Sequence, residues 1–360
     1  MLKFKLLFLS GVAILFTACS SDNVNEPTPP PLSDNDGKVY EVSLSLGGEF
    51  VEVSESPLSR ASEAPAPKNY YGVNVYCMKT DGSVNKYSHY AYGVFDDLAS
   101  MKLMLLEGYK YKFECTTLKE RENYRLLNDT KQNLSSPFTY GQDGYSDSNF
   151  PLYNLNKFST SAIYYLNQIE GGYTSYYEWL GEEDNYATYS DAGSYPPFDR
   201  YYGELENYEP AENGVATINM TRTSFGVTLH VNEVPDGSLK WNCYDLFHGK
   251  GRVSSTSEPI EIFNHYTFAE IKSCWNNPET YSKDFTIDFK WTRENGYEQW
   301  FSKKITVKRN INTILTVSLD GGSNNITFGL HEEDTEMGVE NDSVSFNGGA
   351  LTDTDVDPVE

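Results

Sequence analysis

Apolar and polar residues alternate along much of this chain with a period of two. Tyr40, Val42, Leu44 and Leu46 are interleaved with Glu41, Ser43 and Ser45. That spacing places one set of side chains on each face of an extended backbone and predicts a half-buried strand. Gly47-Gly48 interrupts it, and Phe50, Val51 and Val53 continue it. The same period returns at Tyr71, Val73, Val75 and Cys77, and at Tyr109, Tyr111, Phe113 and Cys115, which oppose Lys110, Lys112 and Glu114. Further on it is carried by Phe225, Val227, Leu229 and Val231, and by Phe285, Ile287, Phe289 and Trp291 against Thr286, Asp288 and Lys290. VATINM, WFSKKITVKRN and INTILTVSL read as three more strands. Turn chemistry separates these runs at Thr80-Asp81-Gly82, at Pro235-Asp236-Gly237 and in the Arg293–Gly296 stretch. Phe268, Ile271 and Trp275 have helical spacing and predict one short helix. Short strands punctuated by turns indicate an all-β chain built as β-sandwiches. The 28 tyrosines point the same way, because strands favour aromatic side chains.

The ends differ from the middle. Lys3 and Lys5 precede an apolar run from Leu6 to Phe16, too short to span a bilayer comfortably, and Thr17-Ala18 precede Cys19. This predicts a lipoprotein signal peptide over 1–18, with Cys19 as the acylated new N-terminus. More than one acyl chain makes membrane attachment stable. Residues 19–37, rich in Pro, Ser, Asn and Asp, read as a flexible tether. The first folded domain is expected over 38–213. It contains a proline-bearing loop at 54–68 and a long polar stretch, 116–213, read as irregular loops with short strands. A second domain is expected over 214–330. The tail, 331–360, has many acids and no Lys or Arg, which predicts a solvated, self-repelling segment.

Composition excludes several function classes. A net charge of -24 is wrong for binding nucleic acid or an anionic lipid surface. No catalytic signature appears: no HExxH, no GxSxG and no Gly-rich phosphate loop. Asp143 and Asp147 miss the order of a calcium loop, so no metal and no cofactor are expected. The chain is read as a non-enzyme. Apart from Cys19 the cysteines are Cys77, Cys115, Cys243 and Cys274. Their positions allow small buried hydrophobes, and in an exported chain they also allow disulfides. Tyrosine-rich stretches at 173–179 and 199–208, including Tyr176, Tyr177 and Trp179, supply an alternative function. It is a monomeric outer-membrane lipoprotein whose aromatic platform stacks on glycans.

A lipoprotein cysteine, a polar tether, an alternating first strand and a loop containing Ser59-Arg60-Ala61 together resemble the fimbrillin precursors of type V pili. The Met220-Thr221-Arg222-Thr223-Ser224-Phe225-Gly226-Val227 run and Lys308-Arg309-Asn310 before ILTVSL are similar to strands of the family's second domain. GVNVYCMKTDGS is similar to an early strand and turn of its first. The resemblance implies two tandem transthyretin-like β-sandwiches and a structural, adhesive role at the cell surface. It implies a precursor lipid-anchored to the outer membrane through Cys19 and cut by an arginine-specific protease between Arg60 and Ala61. It also implies loss of the strand bearing Tyr40, Val42, Leu44 and Leu46, and its replacement by a strand from another fimbrial subunit. A host or bacterial surface ligand would be the adhesion target. The acidic tail departs from a shaft pilin and favours an anchor, tip or accessory subunit.

Overall fold

The computed structural model describes residues 37–50, 68–82, 85–120, 124–126, 132–140, 148–160, 178–179, 198–232, 234–243, 247–254, 260–320 and 327–337. The chain begins with β1 (Val39–Gly48), β2 (Asn69–Lys79), β3 (Ser88–Phe95), β4 (Lys102–Leu106) and β5 (Tyr109–Lys119). Short strands β6 (Tyr124–Arg125), β7 (Asn133–Tyr140), β8 (Ser148–Pro151) and β9 (Glu178–Trp179) follow. Next come β10 (Asp199–Tyr208), β11 (Val215–Arg222), β12 (Ser224–Val231), β13 (Ser238–Cys243), β14 (Phe247–Ser254) and β15 (Ile260–Thr267). The helix α1 (Ile271–Asn276) precedes β16 (Ser282–Thr292), β17 (Glu298–Lys308), β18 (Ile311–Asp320) and β19 (Thr327–Glu336). The all-β sandwich architecture expected from the alternation is what the chain adopts.

The first half is one strand network ordered β3-β2-β5-β10-β11-β1-β4. It folds over at β10 and β11, which pair only at Tyr201 with Arg222 and Tyr202 with Thr221. The two layers enclose a core. Val42 and Leu44 of β1, Leu103 and Leu105 of β4, and Ala216 and Ile218 of β11 face Tyr71, Val73, Val75, Phe113 and Cys115 of the opposite layer. In the second half, β15-β12-β18-β19 packs on β14-β13-β16-β17. There Phe225, Val227 and Leu229 meet Phe285, Ile287, Phe289 and Trp291, as the alternation predicts.

A third cluster covers the outer face of the layer containing β2 and β5. Tyr70, Leu118 and Tyr202 pack there with Phe138, Phe150 and, from α1, Ile271. The helix therefore joins both halves, because its Cys274 lies in the second sandwich core. The Trp275 ring meets Tyr202 edge-on at 5.6 Å, and Lys272 pairs with Glu204 at 3.0 Å.

The structure corrects three expectations. Strand β11, expected to open a second domain at 214, lies beside β1 in the first sandwich, so the change of sandwich falls at Thr223 between β11 and β12. The reason is register: Ala216, Ile218 and Met220 point into the first core. Residues 199–208, in a stretch read as irregular loops with short strands and weighed as either a glycan platform or strand packing, form β10, with Tyr201 and Tyr202 buried. Both faces of β10 are covered, which hides its alternation. The acidic tail does not begin at 331, since β19 runs to Glu336 along β18 and Met337 is buried. Lys303 and Lys308 of β17 meet Glu332 and Asp334, so part of that acidity is paired.

Candidate functional site

β1 is an interior strand. One edge runs parallel to β11, from Ser43 opposite Val215 to Gly48 opposite Met220. The other runs antiparallel to β4, from Val39 opposite Leu106 to Ser43 opposite Lys102. Its backbone is held at both ends: Glu107 N–H donates to the Lys38 carbonyl at 2.8 Å, and Leu44 N–H donates to Met101 at 2.8 Å. The Glu49 N–H donates to Met220 at 2.9 Å. Val42 and Leu44 are buried, and Tyr40 and Leu46 pack against the same core as partly buried side chains. All four residues read from the sequence as a plug thus line one face of one strand inside a sandwich. On the outward face Ser45 and Thr217 hydroxyls hydrogen bond at 2.8 Å.

Side-chain hydroxyls occupy part of the far edge of β4. The Tyr111 hydroxyl accepts from Leu106 N–H at 2.9 Å, and the Tyr90 hydroxyl donates to the Met104 carbonyl at 3.1 Å. On the opposite layer, the outer edge of β3 is bridged at Tyr92 by Ser159. Hydroxyls and a crossing segment thus occupy outer-edge groups on which another chain would otherwise pair. β1 fills the slot between β11 and β4.

The C-terminal end of β1 reaches the joint between the sandwiches. Glu49 Oε2 accepts from Arg222 N–H and from Arg309 Nη1, both at 2.8 Å. Arg309 also donates from Nε to the Pro278 carbonyl at 2.6 Å. Beside it, Arg222 forms a two-point pair with Asp199 at 2.8 and 2.9 Å, and its Nη1 reaches the carbonyl of Met337 at 3.2 Å. Burial pushes the Asp199 carboxyl up. The facing Arg222 guanidinium, with His265 and Lys119, outweighs this and holds it below the usual carboxylate range. Phe50 is buried and meets Tyr71 and Tyr201 edge-on at 5.9 and 5.4 Å. Arg222 and Arg309 are thus joint residues. Sequence spacing gave no sign that Glu49 would meet them, because 173 and 260 residues separate it from its two partners.

Other expectations divide. Cys19, Arg60 and Ala61 lie outside the described residues, as do the side chains of Tyr176, Tyr177 and Trp179. Cys77, Cys115, Cys243 and Cys274 are buried free thiols. Burial raises the Cys77 thiol to about 11 and the Cys274 thiol to about 12, which keeps them protonated and unreactive at neutral pH. Among the described residues no group of His, Cys, Asp and Glu is arranged to hold a metal ion.

No protein-family model matches the sequence, and no curated protein does. Among solved structures, the chain is similar to a protein assigned to cell adhesion from Bacteroides eggerthii (10% identity, 82% of this chain and 96% of that one, TM-score 0.34). It is also similar to the fimbrial anchor protein Mfa2 from Porphyromonas gingivalis (11% identity, 83% of this chain and 99% of that one, TM-score 0.31). A third is a fimbrial assembly protein from Parabacteroides distasonis (10% identity, 83% of this chain and 98% of that one, TM-score 0.25).

Proposed function

We propose that this chain is a cell-surface fimbrial subunit or anchor with a structural and adhesive role and no catalytic one. In this reading it is made as a precursor lipid-anchored to the outer membrane through Cys19, and it joins other subunits by strand exchange. The observation that carries the reading is the position of β1: an interior strand, hydrogen bonded on both edges, whose apolar face completes the first sandwich core. Strand addition of this kind gets affinity from main-chain hydrogen bonds and register from alternate side chains in pockets. The groove left without β1 would expose two strand edges and the apolar lining contributed by Leu103, Leu105, Ala216 and Ile218, so an incoming strand is strongly favoured.

The test is to lock the strand. Ser45 and Thr217 are directly opposite, with hydroxyls in contact. The double variant S45C/T217C, oxidised, should fold and reach the surface yet fail to join fibres, and a reductant should restore assembly. Normal incorporation of the oxidised, cross-linked chain into fibres would reject the proposal. Intact mass of the mature protein supplies a second reading: acylated Cys19 at the N-terminus marks a retained anchor, and Ala61 marks processing after Arg60.

A further inference from the structure

The slot that holds β1 has a second recognition element beyond its apolar lining. Three consecutive residues at the end of the strand each meet a distinct requirement. Gly48 has φ +75°, and a Cβ there would fall 2.6 Å from the Met220 carbonyl oxygen and 2.9 Å from the Met220 nitrogen. Both are backbone atoms of the neighbouring strand, so no rotamer relieves the clash. Glu49 puts one carboxylate oxygen between Arg222 N–H and Arg309. The Arg309 side chain is 7% exposed, and a desolvated guanidinium of this kind binds a carboxylate more tightly than a neutral amide. Phe50 fills the space between the Tyr71 and Tyr201 rings.

We propose that this end of the slot reads a Gly–acid–aromatic triplet. A partner strand that takes the place of β1 then belongs to a different polypeptide, one carrying that triplet directly after its apolar alternation. The inference rests on the strand-exchange reading above and adds the chemistry that selects the strand. Across the whole sequence a glycine followed by an acid and then an aromatic residue occurs at 48–50 alone. A second copy of this chain therefore has the triplet only in its own β1, where it is already seated. The apolar plug sets affinity in a sequence-tolerant way, since any alternating strand supplies it. The triplet fixes register, because a one-residue slip in either direction takes the carboxylate away from Arg309, and the slip that moves Glu49 into the Gly48 position also puts a Cβ against Met220.

The experiment uses the full chain cut after Arg60 and labelled synthetic peptides spanning 38–50. Exchange is followed by fluorescence polarisation at fixed salt. The native peptide should displace the resident strand. E49Q should bind about five- to tenfold more weakly, because Glu49 is 44% exposed and its pair is partly screened. F50A should lose about tenfold or more, and G48A should not enter. In an R309Q host the native and E49Q peptides should become equivalent; if R309Q fails to fold, the peptide series in the unaltered host decides. Equal exchange by native, G48A, E49Q and F50A, with a scrambled peptide excluded, overturns the triplet while leaving strand exchange intact. Failure of every peptide, the native one included, rejects strand exchange itself and the triplet with it. Displacement of the resident strand by uncut full-length chain would make the partner a second copy and overturn the assignment to a different polypeptide.

Discussion

At the residue scale, the slot depends on a few side chains whose partners lie far away in sequence. Leu44 is 5% exposed within a packed sandwich. Leu44→Ala should cost about 2–4 kcal/mol through lost transfer energy and the remaining cavity, measured by denaturant unfolding. Asp199 and Arg222 are both buried and face each other in two-point geometry. Asp199→Asn leaves the guanidinium without its counter-charge and should cost about 3–5 kcal/mol by the same measurement. His89 gives a pH signature. Burial beside the Tyr76 ring (5.4 Å) lowers its pKa to about 4, so the folded state disfavours the imidazolium that the unfolded chain forms near pH 6.5. The unfolded chain binds more protons between those values, so this group's contribution falls as pH drops from about 6.5 to about 4 and is flat below. Melting temperatures of His89→Gln should show a shallower slope in that window than the parent chain. An unchanged slope would remove His89 as the cause.

At the element scale, α1 is short, yet it packs against both halves. Six residues would not hold a helix alone, and its packing supplies the stability. Ile271 enters the cluster outside the first sandwich, while Cys274 enters the second core. Ile271→Ala should cost about 2–4 kcal/mol and separate the unfolding of the two sandwiches into resolved calorimetric transitions. A single shifted transition would show that the joint around Arg222 couples them without α1. The helix was legible in the sequence from the spacing of Phe268, Ile271 and Trp275. Its bridging role was not, because spacing says which residues share a face and nothing about which core that face meets. Strands β1, β2, β5, β12 and β16 were legible for the same reason, each having at least one strictly alternating buried face. Strand β10 was not legible as a full-length strand: Tyr201 faces one core and Tyr202 the other, so no polar–apolar alternation marks it.

At the scale of the whole molecule, the first sandwich closes on a strand from the start of the chain. β1 reaches its partner β11 across more than 160 residues, and the pairing is parallel, which no short turn makes. The backbone bonds along both edges of β1 should keep it in place when the chain is cut after Arg60. Size-exclusion chromatography of the cut chain should show the N-terminal fragment co-eluting with the remainder under native conditions and separating in denaturant. Immediate loss of the fragment in native buffer would show that the slot does not hold its strand without the covalent link. The charge of -24 acts at this scale too. It keeps the surface repulsive while β19 uses part of the acidity to pair with β17 across the second sandwich.

The sequence by itself determined the all-β class, the inward faces of most strands, the turn positions and the shared apolar face of Tyr40, Val42, Leu44 and Leu46. These follow from local rules, since a period of two and a turn residue act within a few positions of the backbone. Tertiary structure alone decided that β11 completes the first sandwich, that β10 lies between two cores, and that Glu49 meets Arg222 and Arg309. Those outcomes depend on which faces meet after the chain has folded back on itself. Two strands with the same alternation can pack in either sandwich, and only summed burial and hydrogen bonding over the whole assembly chooses between them.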